Sequence, residues 1–199
     1  MHDKKMRSLR RDRFRRFFLL LAAALGVVPA WSFAASVVLA SGSMLTLAGA
    51  QHTVTLKVNA AQGAALRQIA HGRPASLPGD SASYRSALLV LDDVELTAVG
   101  ARGGYFYKIY LTPAGDARAT EQQLAGTLGP FEIAAARKRG AASMSYSLGG
   151  ALGSFGDGPV SPLAVTFQRA GSTGGGDGAD AALIGIGSFR VELSTEAGN

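Results

Sequence analysis

The sequence predicts an all-β protein, and three observations support this prediction. Several segments alternate apolar and polar residues with a period of two, which is typical of half-buried strands. Clusters of Gly, Pro and Asp separate these segments at short intervals. A helical spacing of apolar residues is found in residues 60–71 alone. Short strands separated by such turns are typical of an antiparallel β-sandwich or barrel.

The clearest strand pattern lies in residues 104–112, whose sequence is GYFYKIYLT. Successive side chains of a strand point to opposite faces of the sheet. The two predicted faces are an apolar one with Tyr105, Tyr107, Ile109 and Leu111, and a mixed one with Phe106, Lys108 and Tyr110. The same alternation predicts strands in residues 53–58, 87–97, 143–148, 163–168 and 189–193.

The segments between the strands predict one helix and several loops. Residues 60–71 predict a short helix, which Gly63 and Gly72 limit in length. The glycine-rich segment 171–178 predicts a flexible loop, because no helix follows it to complete a phosphate site. The glycine-rich residues 148–158 are also predicted to be a loop, because they too lack the following helix of a phosphate site. The basic run Arg137-Lys138-Arg139 predicts a solvated loop, with a docking patch as the alternative.

The first 34 residues have the pattern of a signal peptide. Residues 1–16 contain eight Lys/Arg, an apolar run follows at residues 17–28, and Ser32 and Ala34 supply the small residues of a cleavage site. Pro29 interrupts the apolar run, which is shorter than the ~20 residues of a membrane anchor. We therefore expect cleavage after Ala34 and export to the periplasm or the cell exterior, with no membrane attachment afterwards.

Two export routes fit the leader. The pentapeptide Arg15-Arg16-Phe17-Phe18-Leu19 resembles the twin-arginine signal, which exports folded proteins. Phe14 stands where that signal usually has Ser or Thr, so the general secretory route stays open. The predicted organisation is a signal peptide at 1–34, an N-terminal strand and linker at 35–86, and a β-sandwich domain at 87–196.

The basic character of the chain belongs to its leader. The whole chain has 20 Lys/Arg and 14 Asp/Glu, and the leader holds eight and two of these, so 12 of each remain. A balanced mature charge argues against a nucleic-acid surface. The chain has no cysteine, which excludes disulfides, thiolate nucleophiles and sulfur metal ligands.

The remaining residues predict neither a catalytic site nor a metal site. His52 and His71 are the only histidines outside the leader, whereas a zinc site needs three or four ordered ligands. We expect both at the surface. Asp92 and Asp93 are neighbours in a predicted strand, so their carboxylates should point to opposite faces, and Asp93 should share a solvated face with Glu95. The sequence therefore predicts a protein without catalytic residues, cofactor or metal.

Five blocks in order resemble the C-terminal domain of plant polyphenol oxidases and long tyrosinases, over residues 45–193. Residues 88–96 are similar to that family's L-V-hydrophobic-x-G/D-hydrophobic-E block. Residues 106–111 stand where the family has K-F-D-V; they keep the aromatic pattern without the literal motif. The other similar blocks are 124–128 (F-A-G-S-F in the family), 148–158 followed by 163–167 (L-G-I-x-x-L-L then V-x-V-T-L-V-P), and 184–193 (I-G-G-I-K-I-E-L).

The resemblance implies a jelly-roll-like β-sandwich and a function. In that family the domain covers the entrance of the dicopper site and holds the enzyme latent. This chain contains no copper domain, so the resemblance implies an accessory or chaperone-like partner that acts in trans on a separate tyrosinase-type oxidase. Phe106 and Tyr110 are the candidate interface residues. The alternative is a generic exported β-sandwich module that binds carbohydrate or an envelope protein.

Overall fold

The computed structural model describes residues 35–113, 122–155, 160, 162–171 and 180–197. The predicted signal peptide lies outside these residues, as does most of the glycine-rich segment 171–178. The described part belongs to one compact unit, Ala34–Asn199. Most of its regular structure is strand, which confirms the all-β prediction.

Eleven strands lie in the described ranges. They are β1 (Ser36–Gly42), β2 (Leu45–Ala48), β3 (Gln51–Leu56), β4 (Ser86–Asp92), β5 (Glu95–Leu96), β6 (Tyr105–Pro113), β7 (Gln123–Leu128), β8 (Ser143–Ser147), β9 (Leu163–Gly171), β10 (Ala182–Ile186) and β11 (Ser188–Ser194). The helices are α1 (Ala60–Ala70), α2 (Pro130–Lys138) and α3 (Gly149–Gly153), and a 3-10 turn spans Gly100–Arg102.

The strands form a sandwich of two antiparallel layers. One hydrogen-bonded sheet has the order β1-β11-β4-β8 and another has the order β2-β10-β5. Short kinks join β1 to β2, β4 to β5 and β10 to β11, so we treat these two sheets as one bent sheet. The second sheet has the order β3-β9-β6-β7. Both layers contribute to a single hydrophobic core.

The strand order is that of a jelly roll. When each kinked strand is counted once, eight strands remain, and their orders are 1-8-3-6 in the bent sheet and 2-7-4-5 in the second sheet. This arrangement contains the two Greek keys that define a jelly roll. The fold class predicted from the sequence is therefore confirmed. β1 pairs with β11 and β3 with β9, so the segment predicted as an N-terminal strand and linker contributes at least these two strands to the sandwich.

The kink between β4 and β5 corrects one prediction. Asp93 has a φ of 49°, a left-handed conformation outside the strand region. The alternation expected for Asp92 and Asp93 therefore stops at Asp92, the last residue of β4. A Cβ on Gly187 would lie 2.8 Å from the Cβ of Asp93. The kinks of β4–β5 and β10–β11 therefore lie side by side, and only a residue without a side chain fits at position 187.

Helix α1 confirms the predicted helix, and its first turn is a capping box. The backbone N–H of Gln62 donates to Asn59 Oδ1 at 2.9 Å, and the backbone N–H of Asn59 donates to Gln62 Oε1 at 2.8 Å. Gly63, Ala65, Leu66 and Ile69 form its buried side. Gly72 follows with a φ of 68°, which ends the helix.

Helices α2 and α3 correct two loop predictions. Arg137 and Lys138 are the last residues of α2, and Arg139 caps that helix, so the basic run ends a helix instead of forming a loop. All three side chains are exposed, as expected. Residues 149–153, predicted as part of a loop, form the single turn of α3.

Candidate functional site

The two faces of β6 are those expected from the sequence. Tyr107, Ile109 and Leu111 have no solvent exposure, and Tyr105 is 4% exposed. The Tyr105 and Tyr107 rings meet edge to face, with 6.0 Å between centroids. On the opposite, outer face Phe106 is 37% exposed, and Lys108 and Tyr110 are half-buried. β6 thus anchors the core with one face and offers a row of two aromatic side chains and one lysine with the other.

The neighbours of this row come from β7 and β9. On β9, Ala170, Gln168 and Thr166 are the register partners of Phe106, Lys108 and Tyr110. On β7, the partner of Lys108 is Thr127 and that of Tyr110 is Leu124. On the outer face of the second sheet, Phe106 therefore has an apolar neighbour, Tyr110 has one apolar and one polar neighbour, and Lys108 between them has polar ones.

Two exposed apolar residues beside this row were not expected from the sequence. Leu124, opposite Tyr110, is 53% exposed. Phe131, in the first turn of α2, is 82% exposed. A Cβ on Gly129, the residue that precedes α2, would lie 3.1 Å from the Phe106 Cβ, so α2 begins next to Phe106. Phe106, Tyr110, Leu124 and Phe131 are called the apolar patch below.

The sequence contained a signal for helix α2, which carries Phe131. Pro130 occupies the first turn of α2, which is the helix position that proline favours, and Glu132 adds a favourable charge there. This signal marks residues 130–138 as a helix that starts at the end of β7. The exposure of Phe131 depends on how α2 packs, and the sequence does not determine that packing.

Asp92 and Glu95, two of the acidic residues considered from the sequence, lie in separate ion pairs. On the outer face of the bent sheet, Asp92 accepts a hydrogen bond from Arg190, which also contacts Glu192 at 2.9 Å. Ser188 Oγ donates to the same oxygen of Asp92, Oδ2, at 3.2 Å. Glu95 pairs instead with Arg137 of α2 at 2.9 Å. The structure therefore does not bring Asp92 and Glu95 together as an acid/base pair.

The two histidines outside the leader lie on different elements, and neither is part of the apolar patch. His71 caps α1 and is exposed, as expected. His52 is half-buried on β3, opposite Phe167 of β9, which corrects its expected surface position. Within the described ranges, no three His, Cys, Asp or Glu side chains are grouped so that they could hold a metal ion.

Four tyrosines have a raised pKa, and for Tyr107 the main cause is burial. A hydrogen bond to Asp80 raises the pKa of Tyr84 to about 12, and burial raises the pKa of Tyr105 to about 12. Burial also raises the pKa of Tyr146, whose hydroxyl is inaccessible and has no hydrogen-bond partner among the described residues. These hydroxyls are therefore protonated at neutral pH, and none is activated as a base.

A scan of protein-family models finds no match to this chain, and a search of curated proteins finds none either. The resemblance described from the sequence therefore stays a prediction. Among the helices of the described residues, none has the length and apolar character needed to cross a membrane.

Proposed function

We propose that this protein is an exported, non-catalytic partner of a separate tyrosinase-type dicopper oxidase. It would shield the entrance of the copper site or assist maturation. The observation that carries the proposal is the apolar patch, with Phe106, Tyr110 and Leu124 on the second sheet and Phe131 in the first turn of α2. It belongs to a jelly roll whose blocks follow the order of the resembled domain. Phe106, the candidate anchor, lies within this patch.

The composition of the patch supports docking by apolar contact. Exposed aromatic side chains supply large contact areas, and truncation of such an anchor typically weakens binding by ~2 kcal/mol or more, about thirtyfold. Phe131 and Leu124 are exposed by 82% and 53%. Both side chains can therefore contact a partner while the protein stays folded. The balanced charge outside the leader supplies little long-range steering, so we expect docking that depends only weakly on salt.

A carbohydrate-binding module is the second candidate, and the row on β6 favours it. Phe106 and Tyr110 lie four residues apart on one strand, which separates their Cα atoms by about 13 Å. Lys108 lies between them and Gln168 beside it, so hydrogen-bonding groups accompany the aromatic rings. Rings spaced along a sheet face can stack on sugar rings. Phe131 and Leu124 have no role in this alternative, which distinguishes the two proposals.

Co-expression with a tyrosinase-type oxidase encoded beside this protein tests the first proposal. We expect the oxidase to co-purify with the wild-type protein and to change its copper content or its phenol oxidation rate. Phe106→Ala should weaken co-purification. The matched control is Met44→Ala, which removes a side chain that is 79% exposed between β1 and β2, away from the patch.

Three outcomes decide between the two candidates. Equal loss with Phe106→Ala and Met44→Ala would show that the patch is not the interface. An oxidase that loads copper, stays equally active and never co-purifies would reject the accessory function. Retention of the protein on an immobilised polysaccharide, abolished by Phe106→Ala but not by Phe131→Ala, would support the carbohydrate module instead.

A further inference from the structure

Strand β3 is an open edge of the second sheet. The amide N–H of Arg169 donates to Ala50 O at 2.8 Å, and the β3–β9 register continues from this pair without a shift. Antiparallel partners alternate between hydrogen-bonded and non-hydrogen-bonded pairs. Gln51, Thr53 and Thr55 are therefore in non-hydrogen-bonded pairs, and their N–H and C=O groups point away from β9. Three of the six residues of β3 thus present backbone groups that have no backbone partner among the described residues.

Three other edges of the sandwich, β1, β7 and β5, are obstructed. β1 has a bulge between Val38 and Ala40, and Gln62 Nε2 donates to Leu39 O, which occupies an acceptor there. β7 has a register shift at its centre. β5 has only two residues, and Arg137 of α2 is paired with its Glu95. Bulges, short length and covering helices are the usual means by which proteins protect sheet edges. Within the described ranges, β3 has no bulge and no helix over its edge.

We propose that β3 pairs antiparallel with β3 of a second copy of this chain, about a two-fold axis. Two registers suit the free backbone groups. With Thr53 opposite Thr53 of the second copy all three free residues are paired with one another, and with Thr53 opposite Thr55 two of the three are. Both place β-branched side chains in cross-strand contact, which is favourable in sheets. Gln51–Leu56 carries no Asp, Glu, Lys or Arg, so self-pairing brings no like charges together.

A second copy fits this edge because the strand is complementary to itself. The pairing joins two four-stranded sheets into one of eight strands, with the order β7-β6-β9-β3 followed by its mirror order. A strand of six residues is about 20 Å long, so the interface is smaller than that of a stable dimer. We therefore expect reversible, concentration-dependent dimerisation.

The proposed dimer does not involve the apolar patch. β9 separates β3 from β6, so Phe106 lies about 10 Å from the pairing edge. Both patches of the dimer would lie on one continuous sheet face. The inference is independent of the proposed function, since self-association can be measured without any oxidase.

A comparable edge is β8, where the Leu148 backbone N–H donates to Ala87 O and leaves Ser145 with outward backbone groups. β8 is one residue shorter and alternates with serine, which forms strands less readily than threonine. It provides a matched control. Thr55→Pro and Ser145→Pro each remove one outward N–H without removing a ladder hydrogen bond.

Sedimentation velocity of the purified protein over a range of concentrations tests the proposal. We expect the wild type and Ser145→Pro to dimerise with the same dissociation constant, and Thr55→Pro to dimerise at least tenfold more weakly. Thr55→Lys, with Ser145→Lys as its control, repeats the test with a charge if the proline distorts the strand. A wild type that is monomeric at every concentration overturns the proposal. Dimers that survive both Thr55 variants, or that only the Ser145 variants abolish, overturn it as well.

Discussion

The ring of Tyr146 lies directly against the backbone of Gly126. A Cβ on Gly126 would come within 2.5 Å of Tyr146 Cδ1. Gly126 belongs to β7 of the second sheet and Tyr146 to β8 of the bent sheet. This contact therefore closes one side of the sandwich, and it requires glycine at position 126.

Gly126→Ala should destabilise the protein through this contact. Overpacking of a filled site typically costs about 1–3 kcal/mol, and we expect a decrease of that size in the free energy of unfolding, measured with urea. Gly185→Ala is the control, because Gly185 is also a strand residue but a Cβ there meets no atom within 4 Å. Equal effects of the two substitutions would contradict the role of Tyr146.

Arg190→Met should destabilise the protein more than Arg137→Met. Arg190 contacts both Asp92 and Glu192, and its side chain is 30% exposed, so its removal leaves two partly buried carboxylates without a partner. We expect a loss of about 1–2 kcal/mol. Arg137 and Glu95 are 54% and 71% exposed, and such surface pairs contribute about 0.5 kcal/mol or less. Thermal or urea unfolding of the two variants decides the order.

Stability should fall in alkaline solution partly through Tyr84. The hydrogen bond to Asp80 raises the Tyr84 pKa from 10.0 to about 12, so the folded state favours the protonated phenol. Its contribution is complete below pH 10.0 and is lost as the pH rises to about 12. Tyr84→Phe should reduce the slope of unfolding free energy in that window, although Tyr105, also raised to about 12, keeps part of it.

The same hydrogen bond also makes stability depend on pH in acid, through Asp80. It lowers the Asp80 pKa below 3.8, so the contribution of Asp80 is present above that pH and is lost as the pH falls through the lowered value. Tyr84→Phe removes the main cause of this shift. Urea unfolding below pH 3.8 should therefore show a weaker acid dependence in Tyr84→Phe than in the wild type. An unchanged dependence would count against the Asp80 contact.

Phe131→Ser should separate docking from stability. The side chain is 82% exposed, so we expect the free energy of unfolding to stay within about 0.5 kcal/mol. Binding to the oxidase should weaken severalfold or more, because the patch loses its most exposed aromatic ring. Titration of the purified oxidase with each protein measures the change. A variant that binds as tightly as the wild type would place the interface elsewhere.

The exported protein should begin within a few residues of Ala35. The basis is the small residues Ser32 and Ala34 after the apolar run. Mass spectrometry of the protein recovered from the periplasm or medium measures this N-terminus. Recovery of the intact chain from the membrane fraction would contradict cleavage and favour an uncleaved anchor.

The sequence by itself determined the strand faces and the first helix. Alternation in residues 104–112 correctly separated the buried Tyr107 from the outward Phe106, because a strand places neighbours on opposite faces whatever its partners are. α1 was predictable because its signals are also local: the Asn59–Gln62 capping box and the helical spacing of apolar residues. α2 also had local signals, Pro130 and Glu132, that a search for alternation passes over.

Only the tertiary structure decided how distant segments meet. The kink at Asp93 depends on Gly187, which lies almost a hundred residues away, and no local pattern records that contact. The exposure of Leu124 and Phe131 likewise follows from the position of β7 at the sheet edge and of α2 beside Phe106. The free backbone groups of β3 follow from its register with β9. These features depend on long-range pairing, whereas periodicity reports only which face of one element is apolar.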